Sequence, residues 1–440
     1  MEPLLVFPVT KTAMTRFAHI ADVHLGAFRD ARLRELNLQA FEKAMAECGR
    51  RQVDFVIIAG DLFDINIPDL AVVERAVRAM RQLKTPIYAV YGSHDYSPTQ
   101  TSVIDVLNEA GVLQKVSSGR YVETHENKGA TESRGEKKEN DASATGLSKL
   151  QLDVLTDPKT GVKITGISAR KLGLEKTYFQ DLDAAALEAI SGPKIFVFHC
   201  AIQEHKPQSL QRVDAVPLSL FPKGFDYYAG GHVHARLLTD YGSGKIAYPG
   251  PLSAADFRDM EEAASAPHGF YVVDLDAKNV EFVPVGFGHV QLVRVDADGK
   301  TAQAANEKIL QACQDVQTSD IGLLHAKGTL CEGKASDIDW TAARKALELK
   351  CPIVYLNNAL ESKERQSVRV DAQHPEAIAE NVFKEVFADR TLAQGFGKDA
   401  GVKLALDLLR VLREENPGDN KKRWEDVVAA KAEKVLGIES

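Results

Sequence analysis

Short apolar runs alternate with longer amphipathic stretches along the first part of the chain. Phe17 to Ala21, Asp54 to Ala59, Ile87 to Tyr91, Ile195 to Phe198 and Phe225 to Ala229 read as buried strands. Between the first two, Ala31 to Arg51 carries Leu33, Leu36, Ala40, Phe41 and Ala44 at helical spacing. Asp69 to Leu83 predicts a second helix just after Pro68, and Val103 to Ala110 lies in a third that stops at Gly111. This alternation implies a largely parallel sheet with both faces covered. Strand signals resume at Val162 to Ile167. Past the turn Tyr248-Pro249-Gly250-Pro251, Gly269 to Val273 and Val280 to Val285 read as late strands.

The pattern breaks twice. Residues 125–147 have almost no large apolar side chains and are dense in charge, Ser, Thr and Gly, which predicts a disordered surface insertion. Past Val290 the sequence restarts with a strand (Gln291 to Val295), a helix (Ala302 to Val316), a strand (Ile321 to Ala326) and a helix (Ser336 to Leu349). From Pro375 the chain reads as helical: Val402, Leu406 and Leu409 share a face, Asn416-Pro417-Gly418 turns, and Trp424, Val428 and Val435 stripe a last helix. The expected division is an N-terminal extension (1–15), a main α/β domain (16–290), a small α+β domain (291–371) and a helical tail (372–440).

Composition adds bounds. A chain of 440 residues exceeds one ordinary core. Its 44% hydrophobic and 26% charged content is that of a globular protein. No apolar run approaches the ~20 residues that span a bilayer, so no membrane association is expected. Met1 to Thr15 lacks a basic start and a cleavage pattern, so we expect no signal peptide, and Met14 is an alternative start. Five scattered cysteines, with no Cys-x-x-Cys pair, read as free thiols in a reducing cytoplasm. A net charge of −8 argues weakly against a nucleic-acid partner. Bound cations or a local basic face can offset it.

The chemistry sits where the strands end. In order come Asp22-Val-His24, Gly60-Asp61-Leu-Phe-Asp64, Gly92-Ser93-His94-Asp95, His199 and Gly231-His232-Val-His234. Parallel strands place their carboxyl ends on one edge, where ligands bind in open α/β folds. Carboxylate plus imidazole without thiolate suits two divalent cations such as Mn²⁺, Fe²⁺ or Zn²⁺. Two such cations are an apparatus for phosphate-ester hydrolysis. At a strand end, Asp22 and His24 point to one face, as residues two apart do. The two oxygens of Asp61 suit it to bridging two ions. Ser93 reads as a ligand and His94 as an acid/base group oriented by Asp64 or Asp95. Gly230-Gly231 is expected to leave room for metal and phosphate, and His199 completes the set. Singly, each element is more often structural; together and in this order they read as a metal site.

Other residues carry less. His19, His125, His205, His268, His289, His325 and His374 match no motif and read as structural or surface groups. Cys200, beside His199, is a weak candidate for lying near metal. Arg75, Arg78 and Arg81 stripe a helix as a solvated face rather than a DNA contact. Arg29, Arg32 and Arg34 are better placed to meet phosphate. No Walker-type glycine loop is present, so no nucleotide site of that type is expected.

These motifs resemble the calcineurin-like metallophosphoesterases, whose pattern is Asp-x-His, Gly-Asp-x-x-Asp, Gly-Asn-His-(Asp/Glu), His and Gly-His-x-His. His19-Ile-Ala-Asp-Val-His-Leu-Gly26 and Gly60-Asp-Leu-Phe-Asp64 look like the SbcD branch, the nuclease subunit of double-strand-break repair complexes. The motif resemblance spans about residues 16 to 287; beyond that it rests on layout. It implies an α/β fold, a β-sandwich flanked by helices in four αββα layers, with a capping domain and a partner-docking tail. By the same resemblance, Asp22, His24, Asp61 and His234 hold one metal, and Asp61, Ser93, His199 and His232 the other. His94 is then the catalytic histidine. The resemblance implies two Mn²⁺, DNA double-strand ends and hairpins as substrate, a homodimer, and an SbcC-type coiled-coil ATPase partner. Ser93 stands where the family has asparagine. A hydroxyl is a shorter and weaker ligand than a carboxamide, so one metal is expected to bind less tightly. Cys200 replaces a glycine common after the lone histidine. The expected activity is a manganese-dependent DNA exonuclease or endonuclease. The alternatives are a phosphodiesterase acting on small nucleotide diesters and a DNA-end-binding scaffold with a degraded metal site.

Overall fold

The computed structural model describes residues 14–97, 101–116, 119–123, 148–170, 175–206, 214–362, 375–388, 398–413 and 421–436. The expected insertion at 125–147, most of the N-terminal extension, His125, His374 and the Asn416 turn lie outside the described residues.

The chain opens with β1 (Arg16–Ile20), α1 (Ala31–Arg50), β2 (Phe55–Ala59), α2 (Leu70–Leu83), β3 (Ile87–Val90), α3 (Val103–Glu109) and β4 (Gln114–Lys115). An antiparallel pair, β5 (Gly119–Glu123) and β6 (Ser148–Leu152), comes next, then β7 (Leu155–Thr156) and β8 (Lys163–Ile167). Two short helices, α4 (Glu175–Asp181) and α5 (Ala184–Glu188), lead to β9 (Lys194–His199), β10 (Tyr227–Gly231), β11 (Leu237–Tyr241) and β12 (Gly244–Tyr248). Then follow α6 (Phe257–Ala263), β13 (Gly269–Asp274) and β14 (Asn279–Pro284).

The strands form two six-stranded sheets, ordered β14-β13-β1-β2-β3-β4 and β11-β12-β10-β9-β8-β7. Two sheets are what the family resemblance implied; the strand–helix alternation taken alone suggests a single parallel sheet. Each sheet has a parallel centre; antiparallel pairing lies on one flank of the first sheet, through β13 and β14, and on both flanks of the second. The layers follow from the alternation of side chains. Ala18, Ile20, Val56 and Ile58 pack against α1 and α2 through Leu38, Phe41, Met45, Val72 and Met80. Phe17, Phe55, Ile57 and Tyr88 face the other way and meet Ile195, Val197, Tyr227 and Ala229 of the second sheet. The outer face of that sheet, Phe196, Phe198 and Tyr228, is covered by Phe179 and Leu187 of α4 and α5. Helix, sheet, sheet and helix make the four layers. Strands buried on both faces explain why their sequences are continuously apolar.

Local signals set the helix ends. The Asp30 side chain accepts from the amides of Arg32 (2.8 Å) and Leu33 (3.4 Å) and starts α1. Ser102 and Asp105 form a capping box that starts α3. Arg75 donates to both oxygens of Glu42, 2.9 Å each, and to Glu35, so it fastens α2 to α1. Arg78 pairs with Glu74 on its own helix.

A third sheet, β15 (Val290–Asp296), β16 (Ile321–Leu330) and β17 (Ile353–Ser362), packs with α7 (Ala302–Gln314) and α8 (Trp340–Glu348) around Val295, Ile309, Leu324 and Leu347. Its Val290, Ile321 and Ile353 join Leu33, Met260 and Phe287 in a shared apolar cluster with the main domain. The structure divides into two compact units, Met1–Glu361 and Ser362–Ser440. The second holds α9 (Pro375–Ala388), α10 (Lys398–Arg413) and α11 (Lys421–Leu436), with Val402 and Val411 buried and Leu412 exposed. No helix among the described residues is long and apolar enough to cross a membrane.

Candidate metal centre

The carboxyl ends of β1, β2 and β3 in one sheet and of β9 and β10 in the other lead into one cluster. The cluster therefore lies where two sheet edges meet, not along one. Gly231 pairs with His199 in the second sheet. A Cβ on Gly231 would stand 1.9 Å from the Ala59 carbonyl oxygen of the first sheet. A Cβ on Gly230 would stand 2.7 Å from the rings of Phe198 and Tyr248. Gly231 thus permits close packing of the two sheets and Gly230 close packing of rings within its own, a correction to the expectation that the pair leaves room for ligand.

Left-handed backbone aims the ligating atoms. Asp22 and His24 have φ of 49° each, Asp61 50° and His232 87°. β1 has already ended at Ile20, so strand periodicity does not place Asp22 and His24 as expected. Two loops stitched side by side place them. Val23 N and His24 N both donate to the Asp61 carbonyl (2.9 Å), and Leu25 N to that of Leu62 (2.9 Å). Non-glycine residues in this region carry strain that surrounding contacts must hold. Gly92 is also required, because a Cβ there would sit 1.9 Å from Asp61 Oδ1.

Asp61 is central. Its Oδ1 accepts from His94 N at 2.7 Å. Its Oδ2 lies 3.0 Å from His199 Nε2, 3.7 Å from His24 Nε2 and 3.4 Å from Ser93 Oγ. Asp22 Oδ1 accepts from His232 N at 2.8 Å. Three sets of ligand atoms converge closely: Asp22, His24 and His234; Asp22, Asp61 and His199; His24, Asp64 and His94. The His232 ring stands against His199, centroids 5.2 Å apart.

The fit to a cation rests on unspent atoms. Among the described residues, six buried side-chain polar atoms lack a hydrogen-bond partner; four are Asp22 Oδ2, both His24 nitrogens and His199 Nε2. Such orphans are rare and costly in folded proteins unless something binds them. Oxygen and imidazole donors suit the borderline and hard divalent metals. The electrostatics agree. Against burial, Asp61 and Asp22 raise the His199 imidazole to about 10. Against burial, Asp259 and Asp22 raise His234 to about 9. These carboxylates draw positive charge into a buried site. Burial and the neighbouring His199 push His232 down to about 4.

The surrounding partners select which imidazole nitrogen is free. His199 Nδ1 donates to the Ala59 carbonyl (2.7 Å), leaving Nε2 toward Asp61. His234 Nδ1 donates to Asp259 at 2.9 Å and 3.1 Å. Ala255 N also donates to that fully buried carboxylate, at 3.0 Å. Asp259 went unnoticed in the sequence. Nothing in Asp256 to Glu262 says which acid of α6 turns inward. Asn37 was missed too, although an amide on the apolar face of α1 was a signal. It is buried, donates to Val23 O (3.0 Å) and Ser253 Oγ (2.9 Å), and so ties the first loop to the segment after β12.

His94 is exposed, with Nδ1 2.6 Å from the Asp64 carbonyl oxygen. Asp64 Oδ1 lies 3.3 Å from His24 Nδ1 and 3.8 Å from His94 Nδ1. Asp95 does not orient His94. It is buried and accepts from the amides of Leu62 (3.2 Å), Phe63 (3.1 Å) and Gly92 (3.0 Å), joining the second and third loops. Cys200 is buried among apolar side chains, and burial pushes its thiol well up, so it serves the core. Arg32 binds Asp30 and the Pro352 carbonyl, and Arg34 binds the Phe28 carbonyl (3.1 Å). Arg29 is exposed. Of the unmatched histidines, His19 and His268 are buried, His289 bonds Ser319 Oγ (2.9 Å), and His325 bonds Glu261 (2.8 Å).

Comparison with known proteins gives one family and several relatives. A family model described as calcineurin-like phosphoesterase matches residues 15–236. A Methanopyrus kandleri protein named DNA double-strand break repair protein Mre11 is 27% identical over 92% of this chain and 84% of its own length. An Archaeoglobus fulgidus protein of the same name is 28% identical over 56% of this chain and 52% of its own. One from Methanococcus maripaludis is 26% identical over 59% and 63%.

Proposed function

The chain belongs to the calcineurin-like phosphoesterases, and we propose that it is a manganese-dependent nuclease acting on DNA ends in double-strand-break repair, the process in its relatives' names. The observation that carries this reading is the group of buried ligand atoms on Asp22, His24 and His199 that make no hydrogen bond and converge with Asp61 and Asp64. In this reading Asp22, His24, Asp61 and His234 hold one cation. Asp61, His199, His232 and the Ser93 hydroxyl hold a second. When bound, such cations neutralise charge on phosphate oxygens and make water a better nucleophile.

The chain's own groups do the remaining work. The amides of His232 and His94 fix one oxygen each of Asp22 and Asp61. The Ala59 carbonyl and the Asp259 carboxylate hold the Nδ1 protons of His199 and His234, so Nε2 is the atom each would offer to a cation. His94, its Nδ1 held by the Asp64 carbonyl, exchanges a proton through Nε2 with the departing oxygen. The three-stranded capping domain guides DNA. The helical tail docks an SbcC-type coiled-coil ATPase, and the protein acts as a homodimer.

The test is digestion of end-labelled duplex and hairpin DNA, with a small aryl phosphodiester run in parallel. Manganese should support cleavage of the DNA, and chelator should abolish it. Hydrolysis of the small diester with DNA untouched would replace the nuclease by a small-molecule phosphodiesterase. DNA bound but uncut at every Mn²⁺ concentration would leave an end-binding scaffold.

A further inference from the structure

Next to the His94 loop, a second grouping joins a cation to aromatic rings. Arg170 follows β8, and its segment is stitched to the end of β3. Tyr91 N donates to Ser168 Oγ at 2.8 Å, and Ala169 N to the Tyr91 carbonyl at 3.0 Å. The Arg170 guanidinium lies 5.7 Å from the Tyr96 ring centroid and 5.0 Å from that of Tyr178. The Tyr178 ring is in turn 6.5 Å from Tyr121, tilted by 40°. Tyr121 is 48% exposed, and Tyr96, Arg170 and Tyr178 are partly exposed. Tyr96 is two residues from His94, so their Cα atoms are at most about 7.6 Å apart.

Packing alone does not use all that this cluster offers. A guanidinium carries five N–H donors. Among the described residues, no carboxylate or carbonyl accepts from the Arg170 side chain. Its backbone N–H does donate, to Glu175 at 3.3 Å. In a chain of net charge −8, this is a cation whose contacts among the described residues are the Tyr96 and Tyr178 rings, beside the site that would receive a phosphodiester. A stacked duplex offers these rings no base face, because its bases rise about 3.4 Å per step and cover one another. An unpaired strand can spread its bases, stack them on aromatic rings and set its phosphates on arginine.

We propose that Tyr96, Arg170, Tyr178 and Tyr121 form a stacking platform for unpaired nucleotides of a DNA strand that leads to the His94 loop. The proposal rests on the phosphodiesterase reading and narrows it, because an end must be opened before its strand lies here. Binding of a labelled oligothymidylate and of a blunt duplex is measured by fluorescence anisotropy in chelator, so no turnover is needed. Tyr178→Ala and Tyr121→Ala should weaken oligothymidylate binding about tenfold each and leave duplex binding unchanged. Arg170→Ala should also weaken it and reduce the salt slope of binding by about 0.7. Tyr178→Phe keeps the ring and should bind as the unmodified protein does. Tyr178 also packs on the core; the Arg170 and exposed Tyr121 substitutions keep the test valid if Tyr178→Ala fails to fold. Unchanged oligothymidylate affinity in the Arg170 and Tyr121 variants, equal losses on duplex, or equal losses in Tyr178→Phe and Tyr178→Ala would overturn the platform. Failure of the unmodified protein to cut any diester with Mn²⁺ would sink the phosphodiesterase reading separately.

Discussion

The His94 imidazole touches the cluster without being enclosed by it. Its Nδ1 is fixed by the Asp64 carbonyl, and its ring stands edge-on to His24 with centroids 4.7 Å apart. Binding and chemistry should therefore separate here. His94→Ala is expected to keep metal content near that of the unmodified protein while turnover falls about 10²–10⁴-fold. Elemental analysis beside single-turnover cleavage checks this, and loss of metal would make His94 a ligand. Asp259 acts one layer further out, through His234. Asp259→Asn preserves shape but removes the charge that stabilises the imidazole, so metal affinity should drop about 10–100-fold. Titration calorimetry reads it directly; an unchanged affinity would mean that Asp259 only braces α6. Ser93 Oγ, 3.4 Å from Asp61 Oδ2, offers a shorter and weaker donor than an asparagine there would. Ser93→Asn should shift activation to lower Mn²⁺ concentration, and identical activation curves would show that the hydroxyl, or water, serves as well.

At the level of elements, the glycines govern how closely the sheets approach. Gly231→Ala would drive a methyl group into the Ala59 carbonyl, and neither backbone can yield without moving the other sheet. A loss of at least about 1–3 kcal/mol is expected from overpacking, together with weaker metal binding because His199 takes its orientation from that same carbonyl. A denaturant midpoint unchanged from that of the unmodified protein would refute it. Such constraints also explain what the sequence could disclose. Asp22, Asp61, His94, His199 and His232 were legible because each ends an apolar run. The helix from Ala31 was legible from its periodicity and that from Val103 from its stop at Gly111. The strand Ile353–Ser362 was not, since only its first two residues are buried and its pattern resembles a loop. The two-sheet arrangement was equally hidden from the pattern. Continuous apolar strands say that both faces are covered, not whether a helix or another sheet covers them. The aiming of Asp22 and His24 was misread for a related reason: a left-handed turn leaves no periodic trace.

Across the whole molecule, the cluster is a cost that metal should relieve. Burying Asp22, His24, Asp61 and His199 together places like and unlike charges in a dry site with unspent atoms. The unfolded chain holds no such arrangement, so cations bind the folded form and stabilise it by mass action, about 2.7 kcal/mol at a hundredfold excess over Kd. All the ligand candidates fall in the unit that ends at Glu361. The gain is therefore expected in the transition that unfolds that unit. For a domain of this size the shift should be on the order of 5 °C. Scanning calorimetry of the full chain with chelator and then with millimolar Mn²⁺ checks it. Asp22→Ala serves as the internal control, since it should abolish the response to Mn²⁺ whatever it does to the baseline stability. A transition that ignores Mn²⁺ in the unmodified protein, or responds equally in Asp22→Ala, would mean that the buried carboxylates and imidazoles satisfy one another without an ion.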